Sequence, residues 1–148
     1  MFPENINTFI DLFCGGCNVG INVKSNKMYC NDSCFEVIKL FNYLYLTSIE
    51  NQLELIDKII KKYSLTKTNE DGFYKLRKDY NFKSRHSLIF YMLICHAFNY
   101  QIRFNKSHMY NMPFGKNRSS FNSNLRKNFI AFVTELHKKR NCIYKQFF

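Results

Sequence analysis

A short apolar segment that runs into two glycines constrains the fold of this chain most. Residues 8–13 predict a short buried strand, and Gly15 and Gly16 just after it provide a tight backbone turn. A short helix capped at its first residue follows over residues 18–24, and residues 27–30 predict a second strand. This order of strand, glycine turn, helix and strand predicts an α/β fold.

An acid closes the second predicted strand. Asp32 lies sixteen residues after Gly16. A glycine turn exposes backbone N–H groups and lets a ligand approach closely, while an acid at the end of the next strand accepts hydrogen bonds from a ribose. The pattern indicates a nucleotide-type ligand, although an ordinary turn explains the two glycines equally well.

The cysteines near the glycine turn offer two other interpretations. Cys14 and Cys17 have the spacing of a thioredoxin-type redox pair, but that fold also needs a later proline, and the only one here is Pro113. Alternatively, Cys14, Cys17, Cys30 and Cys34 have a spacing compatible with a four-thiolate zinc site. A third account places the strand-end thiols in the core as small hydrophobes.

The rest of the chain is mostly helical in pattern. Apolar side chains keep helical spacing over residues 48–98 and again over residues 125–136. Residues 100–114 lose this spacing and predict a hairpin, with its turn at residues 105–108. Residues 142–148 predict the beginning of another strand.

The positive charge of the chain is concentrated in its second half. The net charge is +11, yet residues 1–79 hold ten Lys/Arg and ten Asp/Glu, whereas residues 80–148 hold twelve Lys/Arg and the single Glu135. Lysine and arginine near phosphates release condensed counterions, so a basic half interleaved with aromatic residues favours a nucleic acid partner. Codon bias of an AT-rich genome is the alternative, but it does not sort charges between halves.

Four stretches of the sequence resemble the Dam-type DNA adenine methyltransferases, most closely those of tailed phages. Residues 9–16 resemble the first motif of that family, and Asn31-Asp32 resembles its ribose-binding acid. Residues 73–81 are similar to a helix of the target-recognition insert, and residues 103–105 with 110–116 resemble its DNA-reading hairpin. The resemblance implies a partial Rossmann-like methyltransferase core with an inserted helical and β-hairpin recognition domain.

By this resemblance, the cofactor is S-adenosylmethionine and the partner is double-stranded DNA. The residues implied for the cofactor are Asp11, Phe13, Gly15, Gly16 and Asp32. The residues implied for DNA bases are Phe98, Asn99, Arg103 and Pro113, with Lys116, Arg118 and Arg126 on phosphates. Among these, Arg103 is suited to bidentate pairing with guanine in the major groove.

The sequence departs from the family in two places. Ser107 and His108 replace the glycine common at the hairpin turn. The Asp-Pro-Pro-Tyr segment, which binds the flipped adenine, is absent, because the two prolines, Pro3 and Pro113, are not adjacent. We therefore expect a truncated or split enzyme that is inactive alone and pairs with a second chain carrying the rest of the core.

The expected domains are residues 1–47 for the cofactor-binding part of the core, 48–140 for the DNA-binding insert and 141–148 for a further core strand. The start of the chain lacks the features of a secretory signal and no apolar run reaches a bilayer span, which predicts a cytoplasmic protein without a membrane partner. Two alternatives remain: a non-catalytic DNA-binding protein that keeps only the basic insert, and the four-cysteine zinc protein.

Overall fold

The computed structural model describes residues 2–139 and the backbone of residues 142–144. The described part is a mixed α/β protein with a small parallel sheet and five α-helices. The chain divides into two compact units, of which the first comprises Met1–Ile49 with Asn128–Phe148 and the second comprises Glu50–Lys127. The expected DNA-binding insert, residues 48–140, includes the whole second unit and also residues that group with the first.

Three parallel strands form the sheet of the first unit. β1 (Ile6–Asp11), β2 (Ser25–Cys30) and β3 (Cys142–Tyr144) lie in the order β1-β2-β3. The last pair of the β1–β2 register is Asp11 opposite Cys30. Because the strands are parallel, their carboxyl ends share one edge, and the glycine turn and Asp32 both lie there. The predicted strand after residue 142 is confirmed as far as residue 144, and residues 145–148 lie outside the described residues.

The first strand is not buried as predicted. It covers residues 6–11 rather than 8–13, and Ile10, Leu12 and Phe13 are 57%, 50% and 85% exposed. β1 is the outer strand of the described sheet, so one of its sides lacks a neighbouring strand. The apolar residues that predicted a core strand therefore form an exposed apolar edge.

The helix predicted over residues 18–24 is replaced by a single 3₁₀ turn, Gly20–Asn22, and Asn18 does not cap it. The reason is close packing at Gly20. A Cβ atom there would lie 3.0 Å from Met28 Sδ and 3.2 Å from Cys17 Sγ, so the backbone presses directly onto sulfur atoms of the core. This contact fixes a turn rather than a free-standing helix.

Two helices complete the first unit. α1 (Phe35–Leu46) buries an apolar face, and the end of α5 (Ser123–Lys138) packs on it, with the rings of Phe41 and Phe132 5.9 Å apart. His137 Nε2 lies 2.8 Å from the carbonyl oxygen of Leu44, and Tyr45 donates a hydrogen bond of 3.1 Å to the carbonyl oxygen of Lys139. These contacts tie residues 128–139 to the first unit.

Helices also dominate the second unit, as the apolar spacing predicts. α2 (Ile49–Tyr63), α3 (Glu70–Phe82) and α4 (Ser87–His96) follow one another with short connections. α3 begins where the side chain of Asn69 accepts a hydrogen bond from the backbone of Gly72. α4 is apolar on most sides and forms the centre of the core. No helix within the described residues combines the length and apolar character needed to cross a bilayer.

The predicted hairpin is present as a doubled-back segment, residues 97–115, which we call the hairpin. Two isolated antiparallel bridges hold it, Ala97 with Phe114 and Phe104 with Tyr110, so it contains no regular strands. Its turn lies at the predicted residues, where the backbone N–H of His108 donates to the carbonyl oxygen of Asn105 at 2.9 Å. The side chain of Asn105 also accepts from two backbone amides of the turn, which makes the tip compact.

Candidate functional site

The glycine turn and the acid after β2 are in direct contact. The backbone N–H of Gly15 donates to one carboxylate oxygen of Asp32, and the backbone N–H of Cys34 donates to the other, each at 2.8 Å. Asp32 thus links the turn after β1 to the beginning of α1. Each oxygen keeps lone pairs for a further donor, because an ionised carboxylate accepts about four hydrogen bonds.

The surroundings of the turn leave room for a ligand. Gly15 has φ +46°, a left-handed conformation that favours glycine, and no atom lies within 4 Å of the position that a Cβ would occupy. The nearest atom to a Cβ on Gly16 is 3.5 Å away. A half-exposed carboxylate beside an open glycine turn can accept hydrogen bonds from vicinal hydroxyl groups, such as those of a ribose.

Backbone hydrogen bonds fix the turn to the end of β2. The N–H of Cys14 donates to the carbonyl oxygen of Asn31, whose own N–H donates to the carbonyl oxygen of Asp11, both at 2.8 Å. The Asn31 side chain is buried and donates to the carbonyl oxygen of Leu12 at 2.9 Å. Asn31 is a positioning residue whose role becomes visible only in the structure. Of the other predicted cofactor residues, Asp11 ends β1 and is partly exposed, while Phe13 lies almost entirely in solvent.

The four cysteines Cys14, Cys17, Cys30 and Cys34 do not form a zinc site. Cys17 and Cys30 are buried with their sulfur atoms 3.9 Å apart, whereas Cys34 Sγ contacts a carboxylate oxygen of Glu36. Among the described residues, no group of three or more Cys, His, Asp or Glu could hold a metal ion. Cys14 and Cys17 are both buried, so neither thiol is exposed as a redox nucleophile would be.

The second unit positions the predicted base-reading residues on the hairpin. The N–H of Phe98 donates to the carbonyl oxygen of Pro113 at 3.0 Å, so these two residues face each other at the base of the hairpin. Asn99 and Tyr100 both have left-handed backbone conformations, with φ of 51° and 55°. Consecutive left-handed residues are costly and tend to occur at functional sites. Phe98, Asn99, Tyr100 and Pro113 are all exposed.

Arg103 is held in place by Asn111 across the hairpin. Its Nε donates to Asn111 Oδ1 at 2.8 Å, and its Nη2 donates to the Asn111 carbonyl oxygen at 3.1 Å. A guanidinium has five N–H donors, so three remain at the exposed end of the side chain. The spacing of these donors suits the two acceptors of guanine in the major groove.

An aromatic cluster fixes the hairpin to the helices of its unit. Phe104 and Tyr110 pack on Phe90 of α4, with ring centroids about 6 Å apart. Burial raises the pKa of the Tyr110 hydroxyl, so it remains a neutral donor to the carbonyl oxygen of Gln101. Asn81 of α3 exchanges two hydrogen bonds with the backbone of Tyr110, at 3.0 and 2.9 Å. Asn81 is a second positioning residue that sequence patterns do not reveal.

The sequence also matches a known protein family over almost its whole length. Residues 1–147 match the D12 class N6 adenine-specific DNA methyltransferases. The chain belongs to this family. D12-class enzymes use S-adenosylmethionine as the methyl donor and act on DNA.

The chain is similar to a short part of each of three longer methyltransferases. It is 45% identical over 139 residues to Type II methyltransferase M.FokI of Planomicrobium okeanokoites. It is 45% identical over 136 residues to Modification methylase StsI of Streptococcus sanguinis, and 30% identical over 135 residues to Modification methylase LlaI of Lactococcus lactis subsp. lactis. These alignments include 90–94% of this chain but only 21% of each relative.

The basic residues of this D12-class chain gather in its second unit. Residues 50–127 contain fifteen Lys/Arg and six Asp/Glu, a net charge of +9. Lys116 and Arg118 are exposed just after the hairpin. Arg126 differs, because it forms an ion pair with Asp57 of α2 and lies over the ring of Phe121. A phosphate contact by Arg126 would have to compete with that carboxylate.

Proposed function

We propose that the chain supplies the cofactor-binding and DNA-binding residues of a site-specific, Dam-type adenine methyltransferase. In this proposal the parallel sheet is part of a Rossmann-like core, formed by residues 1–47 and the strand from residue 141, and residues 48–140 are the target-recognition insert. The observation that carries the proposal is the contact of the Gly15 amide with the Asp32 carboxylate at the carboxyl edge of parallel strands. Ligands of α/β folds bind at such an edge.

The proposed cofactor site consists of an acceptor and an open turn. Asp32 accepts hydrogen bonds from the ribose hydroxyl groups of S-adenosylmethionine, and Gly15 and Gly16 allow the ligand to approach the backbone. Asp11 and the exposed ring of Phe13 border this edge and shape the pocket. When bound, S-adenosylmethionine supplies the electrophilic methyl group that is transferred to the adenine N6.

The proposed DNA site is the exposed face of the hairpin. Arg103 offers three N–H donors for a guanine, while Phe98, Asn99 and Pro113 lie against neighbouring bases. Lys116 and Arg118 contact phosphates, which position the duplex without reading its sequence. Arg126 joins them only if the duplex displaces Asp57. The net charge of +9 on this unit supports a polyanionic partner.

Replacing Arg103 tests the base-reading assignment. The duplex that the wild-type chain selects from a random pool is compared with a scrambled duplex by fluorescence anisotropy. Arg103→Ala is expected to lower affinity for the selected duplex about 5- to 150-fold, the range of one bidentate guanine contact. Arg103→Lys is the control, because it keeps the charge and the salt dependence but loses the planar guanidinium that donates two parallel hydrogen bonds. If wild type and Arg103→Lys discriminate equally between the selected and the scrambled duplex, Arg103 does not read a base.

The catalytic segment must come from elsewhere in this proposal. The 148 residues contain no adjacent prolines, and exposed apolar side chains lie on the outer strand β1, at Ile10, and just after it, at Leu12 and Phe13. An outer strand with exposed apolar side chains is suited to pairing with further strands. We infer that a second polypeptide segment carrying Asp-Pro-Pro-Tyr completes the core there.

Methyl-transfer assays with and without that segment test whether this chain requires a second segment for catalysis. With labelled S-adenosylmethionine and duplex DNA, the chain alone is expected to incorporate no label into adenine. Adding the remaining part of a D12-class relative is expected to restore incorporation, and an Asp32→Ala chain in the same mixture should not. Adenine methylation by the 148-residue chain alone would show that it needs no second segment. Duplex binding without any affinity for S-adenosylmethionine would favour the non-catalytic DNA-binding alternative.

A further inference from the structure

Two loops of the second unit meet although about fifty residues separate them in sequence. The backbone N–H of Asn117 donates to the carbonyl oxygen of Lys67 at 2.7 Å. Lys67 lies in the connection between α2 and α3, and Asn117 lies in the turn that follows the hairpin. This single bond brings Lys67 next to a turn that already carries Lys116 and Arg118.

The turn that carries Lys116 and Arg118 is rigid. The N–H of Gly115 donates to the carbonyl oxygen of His96 at 2.9 Å, and the N–H of Ser119 donates to that of Gly115 at 3.0 Å. A Cβ on Gly115 would lie 2.7 Å from the carbonyl oxygen of Ala97, so only glycine fits this close approach. The turn is therefore fixed against the end of α4.

The connection that carries Lys67 is equally well ordered. Thr66 Oγ1 accepts hydrogen bonds from the backbone N–H groups of Thr68 and Asn69 at 3.3 and 3.0 Å. The Asn69 side chain donates to the carbonyl oxygen of Ser64 at 2.8 Å and also caps α3. Such side-chain bonds to the backbone define the loop conformation. Both loops consequently fix the backbone positions of their cationic residues before any ligand binds.

The three cations are exposed and available to an anion. Lys67, Lys116 and Arg118 are all exposed, and in the part of the chain that the structure describes none of them forms an ion pair. Lys58, Lys83 and Arg126 of the same unit, by contrast, form ion pairs with carboxylates. Cationic side chains on neighbouring loops make the local potential positive, which favours binding of a phosphate.

We propose that Lys67 joins Lys116 and Arg118 in a phosphate-binding cluster for the backbone of duplex DNA. Lys67 is a DNA-contacting residue that the sequence pattern does not reveal. The cluster is continuous with the hairpin, since Lys116 is three residues beyond Pro113, so a duplex read by the hairpin extends over it. This inference rests on the proposed DNA-binding function and adds the residue that positions the backbone.

The test compares salt dependence of duplex binding in single variants. For Lys67→Ala we expect an affinity loss of about five- to tenfold near 0.1 M salt on every duplex sequence, because one phosphate contact changes the salt slope by about 0.9. Lys116→Ala and Arg118→Ala should behave alike. Lys75→Ala is the matched control. It removes the same charge from the solvent-exposed face of α3, opposite the buried face of that helix, and should leave the salt slope of duplex binding unchanged.

A second variant separates the charge from the identity of the side chain. Lys67→Arg keeps the positive charge at the same backbone position, so it should retain both the affinity and the salt slope of wild type. If Lys67→Ala and Lys75→Ala have the same slope as wild type while Arg118→Ala does not, the cluster is wrong and the proposed DNA binding stands. If the wild-type chain itself binds duplex DNA without salt dependence, the proposed function fails first.

Discussion

Replacing Gly72 with alanine is expected to lower the melting temperature of the chain by about 5–10 °C, which corresponds to a loss of about 2–3 kcal/mol. The first turn of α3 packs against the end of α2 at this residue. A Cβ there would lie far inside van der Waals contact of the Tyr63 carbonyl oxygen and 2.8 Å from Asn69 Nδ2. The carbonyl oxygen belongs to the backbone, so the two helices must separate to make room.

Another glycine provides the control for this substitution. Gly16→Ala adds the same methyl group where the nearest atom is 3.5 Å away, and its effect on stability should stay within about 0.5 kcal/mol. The helix propensity of alanine opposes the clash at Gly72 by up to about 1 kcal/mol. The clash outweighs that gain because the nearest atom is the backbone oxygen of Tyr63, which cannot move away as the end of a flexible side chain could. An unchanged or higher melting temperature of Gly72→Ala, followed by circular dichroism, would contradict the close approach of α2 and α3.

Replacing Asp32 with alanine is expected to abolish binding of S-adenosylmethionine, with a loss of at least about 100-fold. Hydrogen bonds to a charged group contribute about 1.5–3 kcal/mol each, and the carboxylate faces two ribose hydroxyl groups in the proposed site. The variant also deprives the N–H groups of Gly15 and Cys34 of their acceptor. The glycine turn then loses its link to α1 as well as its ligand.

A conservative variant distinguishes ligand binding from folding. Asp32→Asn keeps the side-chain size and one acceptor oxygen, so it retains one of the two backbone bonds; we expect a smaller loss of thermal stability than in Asp32→Ala, with affinity at least about tenfold below wild type. Glu4→Gln removes one charge from an exposed position and should change neither property. If Asp32→Asn bound the cofactor as tightly as wild type, the carboxylate charge would have no part in recognition.

The helices could be predicted from the sequence because their signal is local. Apolar spacing over residues 48–98 and 125–136 places α2 to α5, since each helix buries one stripe of side chains. The exposure of β1 could not be predicted. A run of apolar residues indicates a segment that favours burial. Whether Ile10 of β1 and Phe13 just after it are buried depends on which distant segments pack against them.

One contact of the candidate sites could be predicted from the sequence, and the contacts between distant segments could not. The spacing from Gly16 to Asp32 predicts that the glycine turn and the acid meet, because parallel strands end at one edge of a sheet. The hydrogen bond between Gly15 and Asp32 lies at that edge. The pairing of Asn81 with Tyr110 and of Lys67 with Asn117 depends on where distant backbones meet. No local sequence pattern predicts contacts between such distant segments.

Calorimetric titration of S-adenosylmethionine into the 148-residue chain tests the central claim most directly. We expect saturable heat with one site per wild-type chain, the same heat with Lys67→Ala, whose altered residue lies in the other unit, and none with Asp32→Ala. Absence of heat with the folded wild-type chain, or undiminished heat with Asp32→Ala, would contradict the assignment of the glycine turn and Asp32 as the cofactor site.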